Sequence, residues 1–251
     1  MVPYFLRLTP VKNNSEHLMR FLFSIVLFLC SSFSAAEDFT DLEISINQMS
    51  SYYRAYLFFE GDERYKKPIL AIAAKSANYD ALLSDKPELL QRWRIFIEQV
   101  NRGFEGVGAF RNINLQGNWN LKNIELQQAL NNELKEHQEN KQSADPKSKY
   151  YVRLLLLRME KILTAYMSLT NALGGLGVSA ESIDIEAEIL EVSNMLTLLN
   201  PQDDALKRVA KKWGFVKRVL LTYKTRIAPY VVLHGYEKIR EDIGEHLATS
   251  P

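Results

Sequence analysis

The chain has 251 residues, 47% of them hydrophobic, and its 31 lysines and arginines almost balance its 30 aspartates and glutamates. A charge this close to neutral excludes a global attraction to nucleic acid or to a strongly acidic partner. The length suffices for a substantial core in one domain or in two small ones.

The first predicted element is a secretory signal peptide at the amino terminus. The apolar run from Phe21 to Cys30, FLFSIVLFLC, follows Arg20 and precedes small residues. It has about half of the roughly 20 residues that a membrane-spanning helix needs, and its three-part pattern is that of an export signal. Ser34 and Ala36 fit the small residues expected at −3 and −1. We therefore predict a signal peptide over residues 1–36, cleavage after Ala36 and export to the periplasm.

The same segment also limits which reactions the mature protein could catalyse and how it could be anchored. Met19-Arg20 would open a compact signal by itself, which favours translation from Met19 instead of Met1. A lipid anchor at Cys30 is disfavoured because Leu29 stands where glycine or alanine normally precedes a lipidated cysteine. Cleavage removes the single cysteine, so thiol catalysis and thiolate metal sites are excluded from the mature chain.

Beyond residue 40 the pattern is helical. Apolar residues recur at alternating spacings of three and four, and no stretch shows sustained period-two alternation. The successive seams begin at Leu42, Ile69, Leu90, Leu155, Ile185, Leu206 and Val232. We therefore expect an all-α protein, folded as an elongated antiparallel helical bundle.

Breaks in the pattern predict the organisation of this bundle. Residues 141–148 are predicted to be a polar connector between a first helical unit, 37–140, and a second, 149–251. Asn200-Pro201 and Asp145-Pro146 have the cap-then-proline pattern of a helix start. Pro229 is expected to break or kink the last helix, because it removes an amide donor and clashes with the preceding turn.

The two units have similar sequences. INQMSSYYRAYLFF, from Ile46, aligns without gaps to LLRMEKILTAYMSL, from Leu156, with Met, Ala and Tyr matched. Further along, Trp93 and Trp213 follow similar turns. This order of matches favours a duplicated three-helix unit, and convergence on the same helical spacing is the alternative.

The segment LLRMEKILTAYMSLTNALG, residues 156–174, resembles the signature helix of the periplasmic sensor domain of type IV pilus methyl-accepting transducers and nitrate/nitrite sensor kinases. In that family an Arg-Met pair precedes a helix with an apolar stripe, and a later Trp opens a packing helix. Arg158-Met159 and Trp213 stand in comparable places. The resemblance implies a helical ligand-sensing domain in which Arg158 would bind an anion within a cavity lined by tyrosines such as Tyr166.

Catalytic patterns are scarce. The sequence has no zinc-protease, nucleophile-elbow, phosphate-loop or dinucleotide motif. Glu133 with His137 and Asp242 with His246 are spaced to share a helix face, but two ligands hold zinc only when a third arrives from elsewhere, and an exposed ion pair is the alternative. We therefore predict a non-enzymatic protein with no metal and no cofactor.

Charges are segregated in the second unit. Between residues 162 and 204 every charge is acidic, and between 205 and 236 every charge is basic. An antiparallel hairpin would place Glu188 near Lys217 and Glu191 near Lys212. The alternative is a positive face for lipid head groups, an envelope polymer or an acidic protein. The residues of this predicted basic face are Lys207, Arg208, Lys211, Lys212, Lys217, Arg218 and Lys224.

The pattern as a whole predicts an exported helical-bundle protein that binds a small anionic ligand or an envelope protein, as an accessory to a sensory system. The alternative is a structural or chaperone-like envelope protein that docks on membrane or polymer through its basic helix, with peripheral membrane contact. Nucleic acid is excluded as a partner by the charge balance. The ligand and the oligomeric state are not encoded in any pattern of the sequence.

Overall fold

The computed structural model describes residues 39–104, 111–133, 144–173, 183–199 and 203–249. All of them belong to one compact unit, 37–251. The predicted signal peptide with Cys30, the histidine at position 137 and residues 141–143 of the predicted connector lie outside the described residues.

Helices account for almost all of the described chain, and no strand occurs in those residues, so the prediction of an all-α fold is confirmed. We number the helices in chain order. They are α1 (residues 39–58), α2 (Glu63–Ala73), α3 (Ser76–Leu82), α4 (Pro87–Arg102), α5 (Ile113–Glu133), α6 (Lys149–Leu173), α7 (Ile185–Leu198), α8 (Asp204–Leu220) and α9 (Pro229–Thr249). Among these helices none is both long and apolar enough to cross a membrane.

The helix starts follow capping chemistry, with three differences from the sequence prediction. Pro87 and Pro229 are the first residues of α4 and α9, so Pro229 opens the last helix instead of breaking or kinking it. Helix α8 does not start at Asn200-Pro201, because the Asp203 side chain accepts the Leu206 N–H and caps the helix later. Likewise α6 starts after Ser148, whose Oγ accepts the Tyr151 N–H, and not at Asp145-Pro146.

Helices α6 to α9 form an up-down-up-down four-helix bundle. Each helix is antiparallel to the next, and α9 closes the ring against α6. Ion pairs tie three of the neighbouring pairs: Arg158 with Glu188 (α6–α7), Arg208 with Asp242 (α8–α9) and Arg240 with Glu160 (α9–α6). Lys224, in the turn after α8, pairs with Glu186 of α7.

The first half of the chain packs against this bundle through α1. Helices α4 and α5 form an antiparallel hairpin, and the Tyr53 ring of α1 stacks on Trp119 of α5 at 4.2 Å between centroids. Helix α1 runs parallel to α6, because Asn47 contacts Thr164 and, further along both helices, Arg54 contacts Asn171. Not every neighbouring pair is therefore antiparallel.

The apolar seams form the core. The residues of the first predicted seam, Leu42, Ile46, Met49, Tyr53 and Tyr56, are all buried. The residues of the sixth seam are buried from Leu206 to Leu220, but its last two residues, Tyr223 and Ile227, are not fully buried. In α4 the buried positions are Leu89 and Phe96, with Trp93 and Val100, instead of the expected Leu90 and Ile97. At two of its four seam positions α4 therefore buries the residue before the predicted one. Both sets of residues fit the helical spacing around Trp93, so the spacing alone does not choose between them.

The two stretches that align in sequence, within α1 and α6, lie side by side. Trp93 in α4 and Trp213 in α8 are both buried, and each packs edge-on against a tyrosine, Tyr79 and Tyr236. In both halves the aligned stretch precedes the tryptophan, but Tyr79 precedes Trp93 whereas Tyr236 follows Trp213. Duplication of a helical unit stays a prediction, and this arrangement is compatible with it.

A glycine sets how closely α8 and α9 approach. A Cβ placed on Gly235 would collide with the buried Val216 side chain, whereas one on Gly244, in the same helix, would meet nothing within 4 Å. We expect Gly235→Ala to lower the free energy of unfolding by about 1–2 kcal/mol, since overpacking outweighs the gain in helix propensity. Gly244→Ala should raise it by up to about 1 kcal/mol. Urea denaturation measures both, and equal effects would contradict the close approach.

Candidate functional site

Helices α1, α5 and α6 each carry a row of polar residues that recur every three or four positions, the spacing of one helix face. On α1 and α5 most of these side chains are buried, which is costly unless they find partners or a ligand. The polar seams are Glu43, Asn47, Ser50 and Arg54 on α1; Gln116, Asn120, Asn123 and Gln127 on α5; and Lys161, Thr164, Ser168 and Asn171 on α6.

The seams of α1 and α6 face each other in register. Each contact joins residues 117 or 118 positions apart, as parallel helices require. The contacts are Lys161 Nζ to Glu43 Oε1 at 3.5 Å, Thr164 Oγ1 to the Asn47 carbonyl oxygen at 3.0 Å, and Asn171 Nδ2 to the Arg54 carbonyl oxygen at 3.1 Å.

Helix α5 does not close this interface, and a cleft of about 310 Å³ remains among α1, α5 and α6. Asn123, Gln127 and Asn131 form its α5 wall, and Gln127 Nε2 donates to Asn123 Oδ1 at 3.3 Å. Thr164 and Ser168 contribute hydroxyls from the α6 wall. The lining is therefore rich in neutral hydrogen-bonding groups, with apolar contacts from Ile46 and Leu130.

Arg54 lines this cleft without a charged partner. Its side chain is on a residue only 8% exposed, and its Nε has no hydrogen-bond partner. No carboxylate among the described residues forms a salt bridge with it. Burial lowers the pKa of Arg54 to about 10, so the guanidinium is still protonated at neutral pH. Arg54 is one of the residues that line the cleft, and of its guanidinium nitrogens only Nε is enclosed without a hydrogen-bond partner.

The other charges around the cleft are compensated. Lys161 lies 3.5 Å from Glu43, and Glu188 accepts a hydrogen bond from Arg158 at 2.8 Å. Once these two pairs are set aside, the guanidinium of Arg54 is the remaining charge on the described lining. The guanidinium of Arg54 is therefore the charge that is left to interact with an anion in the cleft.

A second buried arginine shows the contrast. Arg240 on α9 binds Glu160 on α6 through two bonds of 2.6 Å and donates to the Tyr52 hydroxyl at 2.6 Å. Glu160 is fully buried and also accepts from Gln48 Nε2. Although burial acts to lower it, the charge and hydrogen bonds of Glu160 raise the pKa of Arg240 above its usual value. Tyr52 lies off the main α1 seam and joins α1 to α9, which makes this cluster structural.

The residues that the sensor resemblance points to are occupied elsewhere. Arg158 pairs with Glu188 and lies 4.0 Å from Glu191, so its charge is compensated by α7. The buried Tyr166 hydroxyl accepts the Ala228 N–H at 2.7 Å, and burial raises its pKa. Neither side chain is on the described lining of the cleft.

The predicted basic face is largely engaged in ion pairs and hydrogen bonds. The predicted hairpin would place Glu188 near Lys217, but in the structure Glu188 pairs with Arg158. The contacts of the face are Lys207 with Asp204, Arg208 with Asp242 and Glu245, Lys212 with Asp242, Lys217 with the Ser193 hydroxyl, Arg218 with the Gly214 carbonyl and Lys224 with Glu186. Lys211 alone of the seven has no partner within the described part of the chain.

The spaced Asp-His pair does not form. His246 Nδ1 lies 2.8 Å from Asp203 Oδ2, the cap of α8, while Asp242 is held by Arg208 and Lys212. Glu133 instead pairs with Lys86 at 2.7 Å. Within the described ranges no group of three or more His, Cys, Asp or Glu side chains is placed to hold a metal ion.

Sequence reasoning missed the cleft because it followed apolar residues only. Glu43, Asn47, Ser50 and Arg54 recur at four, three and four, and the α6 seam recurs at three, four and three. Polar residues at the spacing of a buried stripe are the signal that would have found the site.

Comparison with known proteins adds no relative: no family model, no curated protein and no solved structure matches the chain.

Proposed function

We propose that this chain is an exported, non-enzymatic binding protein that holds a small oxyanion, a carboxylate or phosphate group, in the cleft among α1, α5 and α6. The observation that carries the proposal is Arg54, a buried residue on the lining of that cleft whose guanidinium has no carboxylate partner among the described residues. Its place in an envelope sensory system rests on the signal-peptide pattern and the sensor resemblance.

The chemistry of arginine favours this ligand class. The guanidinium is planar and presents paired donors that match the two oxygens of a carboxylate or a phosphate. An isolated charge in a poorly hydrated site is costly, and a bound anion would compensate it. The cleft, at about 310 Å³, is at the small end of the range for ligand sites, roughly 300–1,000 Å³.

The walls of the cleft add selectivity for small polar solutes. Asn123, Gln127 and Asn131 offer amide donors and acceptors, and Thr164 and Ser168 offer hydroxyl oxygens. A ligand that carries hydroxyl or amide groups next to its anion could use both walls. A large apolar molecule would leave those groups unpaired.

The test is thermal and chemical unfolding in citrate, succinate or phosphate, against chloride at the same ionic strength. We expect at least one of these anions to stabilise the protein in a saturable way, by about 2.7 kcal/mol at 100 times its Kd. Arg54→Met should abolish that stabilisation, because it removes the guanidinium and keeps the apolar stem.

Arg158→Met/Glu188→Gln is the matched control, since it removes the arginine that the sensor resemblance implies together with the carboxylate that this arginine compensates on the cleft lining. It should keep the response to the anion. Loss of the response in this double variant but not in Arg54→Met would move the site to the residue that the sensor resemblance implies. An equal response in both variants would mean salt exclusion from the surface and no site in the cleft.

A further inference from the structure

A second concave surface lies between α8 and α9. It encloses about 600 Å³. Its apolar members are unusually exposed for their size, Phe215 at 50%, Tyr230 at 55% and Val231 at 37%. The charged residues on its described lining are all basic or histidine: Arg208, Lys211, Lys212, Lys238 and His234. We call this surface the α8–α9 groove.

The groove is divided along its length into a basic end and an apolar end. Helices α8 and α9 are antiparallel, with Arg208 level with Asp242 and Lys212 level with Lys238. All four lining arginines and lysines therefore lie at one end. Gly235 is level with Val216, and Tyr230 and Val231 lie about one turn beyond it. The twelve positions from Asp242 back to Tyr230 give a length of about 18 Å.

At the basic end the charges are unequally compensated. Arg208 and Lys212 bind Asp242, which is almost buried beneath them, and Lys238 binds Glu241. Lys211 is exposed and has no partner among the described residues. The uncompensated charge of the groove therefore belongs to Lys211.

We propose that the α8–α9 groove binds a single-chain anionic amphiphile, such as a fatty acid or an alkyl phosphate. Its head group would lie against Lys211 and its apolar chain over Phe215, Val231 and Tyr230. The Tyr230 and His234 rings, which stack with their planes 5° apart, both line this apolar end. Burying the apolar residues stabilises the complex, and the basic end fixes its direction.

The separation of charge from apolar surface decides between occupants. An acidic amphipathic helix in a groove would place its acids along both sides of an apolar stripe, and would need cations along the whole length. A membrane surface would meet protruding residues better than concave ones. A single-chain amphiphile, with its charged head at one end and its apolar tail at the other, fits a groove with one basic end and one apolar end, whereas the acidic helix and the membrane surface do not.

The probe is decanoate, titrated into the purified protein by isothermal calorimetry, with 1-decanol as its neutral counterpart. We expect decanoate to bind about tenfold more tightly than decanol. Lys211→Glu should weaken decanoate by about tenfold and leave decanol unchanged, because it replaces attraction with repulsion at the head group. Phe215→Ser should weaken both ligands by a similar factor.

Two controls are matched to these changes. Arg218→Glu reverses an exposed charge of α8 that is not on the described lining, and Leu190→Ser removes an exposed apolar side chain of α7. Both should bind decanoate like the unchanged protein. Equal affinity for decanoate and decanol, or equal loss in Lys211→Glu and Arg218→Glu, would overturn the proposal. So would binding to phosphatidylglycerol vesicles by a protein that ignores free decanoate.

Discussion

Arg240→Met should lower the free energy of unfolding by about 3–5 kcal/mol, because it leaves the carboxylate of Glu160 buried without its cation. Glu160 is fully buried, and two of its bonds come from Arg240 at 2.6 Å. Gln48 is the other described donor to this carboxylate, from 3.2 Å, and one amide does not replace a guanidinium. The loss also removes the bond between Arg240 and the Tyr52 hydroxyl, which joins α9 to α1.

Urea denaturation monitored by far-UV circular dichroism measures this effect. The double variant Arg240→Met/Glu160→Met should recover most of the loss, since it removes both buried charges and fills the space with apolar atoms. Lys238→Met, which removes a half-exposed cation from the same helix, should change stability by less than about 1 kcal/mol. A loss in the double variant as large as in Arg240→Met would contradict the explanation by an unpaired charge.

Arg54→Met should have the opposite sign and raise the free energy of unfolding of the ligand-free protein by about 1–3 kcal/mol. The guanidinium of Arg54 has no salt bridge within the described residues, so its removal leaves no unpaired partner behind. The hydrogen bond from Asn171 ends on the Arg54 carbonyl oxygen, and methionine keeps it. A ligand-binding site that is costly in the empty protein is expected where function requires an unpaired charge.

The difference in free energy of unfolding between Arg54→Met and the unchanged protein should change with pH in a definite direction. Burial lowers the pKa of Arg54 to about 10, below its value in the unfolded chain. Above that pH the unfolded state binds more protons than the folded state, so the stability of the unchanged protein rises relative to Arg54→Met. The advantage of the variant should therefore be constant near neutral pH and shrink as the pH passes 10. A variant less stable at neutral pH would mean that the guanidinium is compensated in the folded protein.

The fold could be predicted from sequence because its core obeys one rule. Leu42, Ile46 and Met49 recur at the helical spacing and are all fully buried, and Pro87 and Pro229 open helices as proline should. The start of α8 could not be predicted in the same way, because Asn200 and Asp203 are both good caps. The choice depends on His246, a residue 43 positions away that binds the Asp203 carboxylate.

The candidate site was much less visible than the fold. Arg158 was favoured by its neighbours in sequence, yet the acids that compensate it belong to α7, and nothing local to α6 reveals their reach. Arg54 stands in the aromatic stretch SSYYRAYLFF, where it reads as a solvent-facing charge. Its burial is set by α5 and α6, which follow later in the chain. Long-range packing, which a local pattern does not contain, decides which arginine is left unpaired.

The parallel contacts between α1 and α6 also determine when the cleft can form. Each contact joins residues 117 or 118 positions apart, so none can form before its partner in α6 has been synthesised. During synthesis α1 is complete long before Thr164 and Asn171 exist. A chain stopped before residue 161 would still carry Arg54, but it would lack the wall that gives this arginine its surroundings. The cleft in which we propose that Arg54 binds an anion is therefore completed only by the second half of the chain.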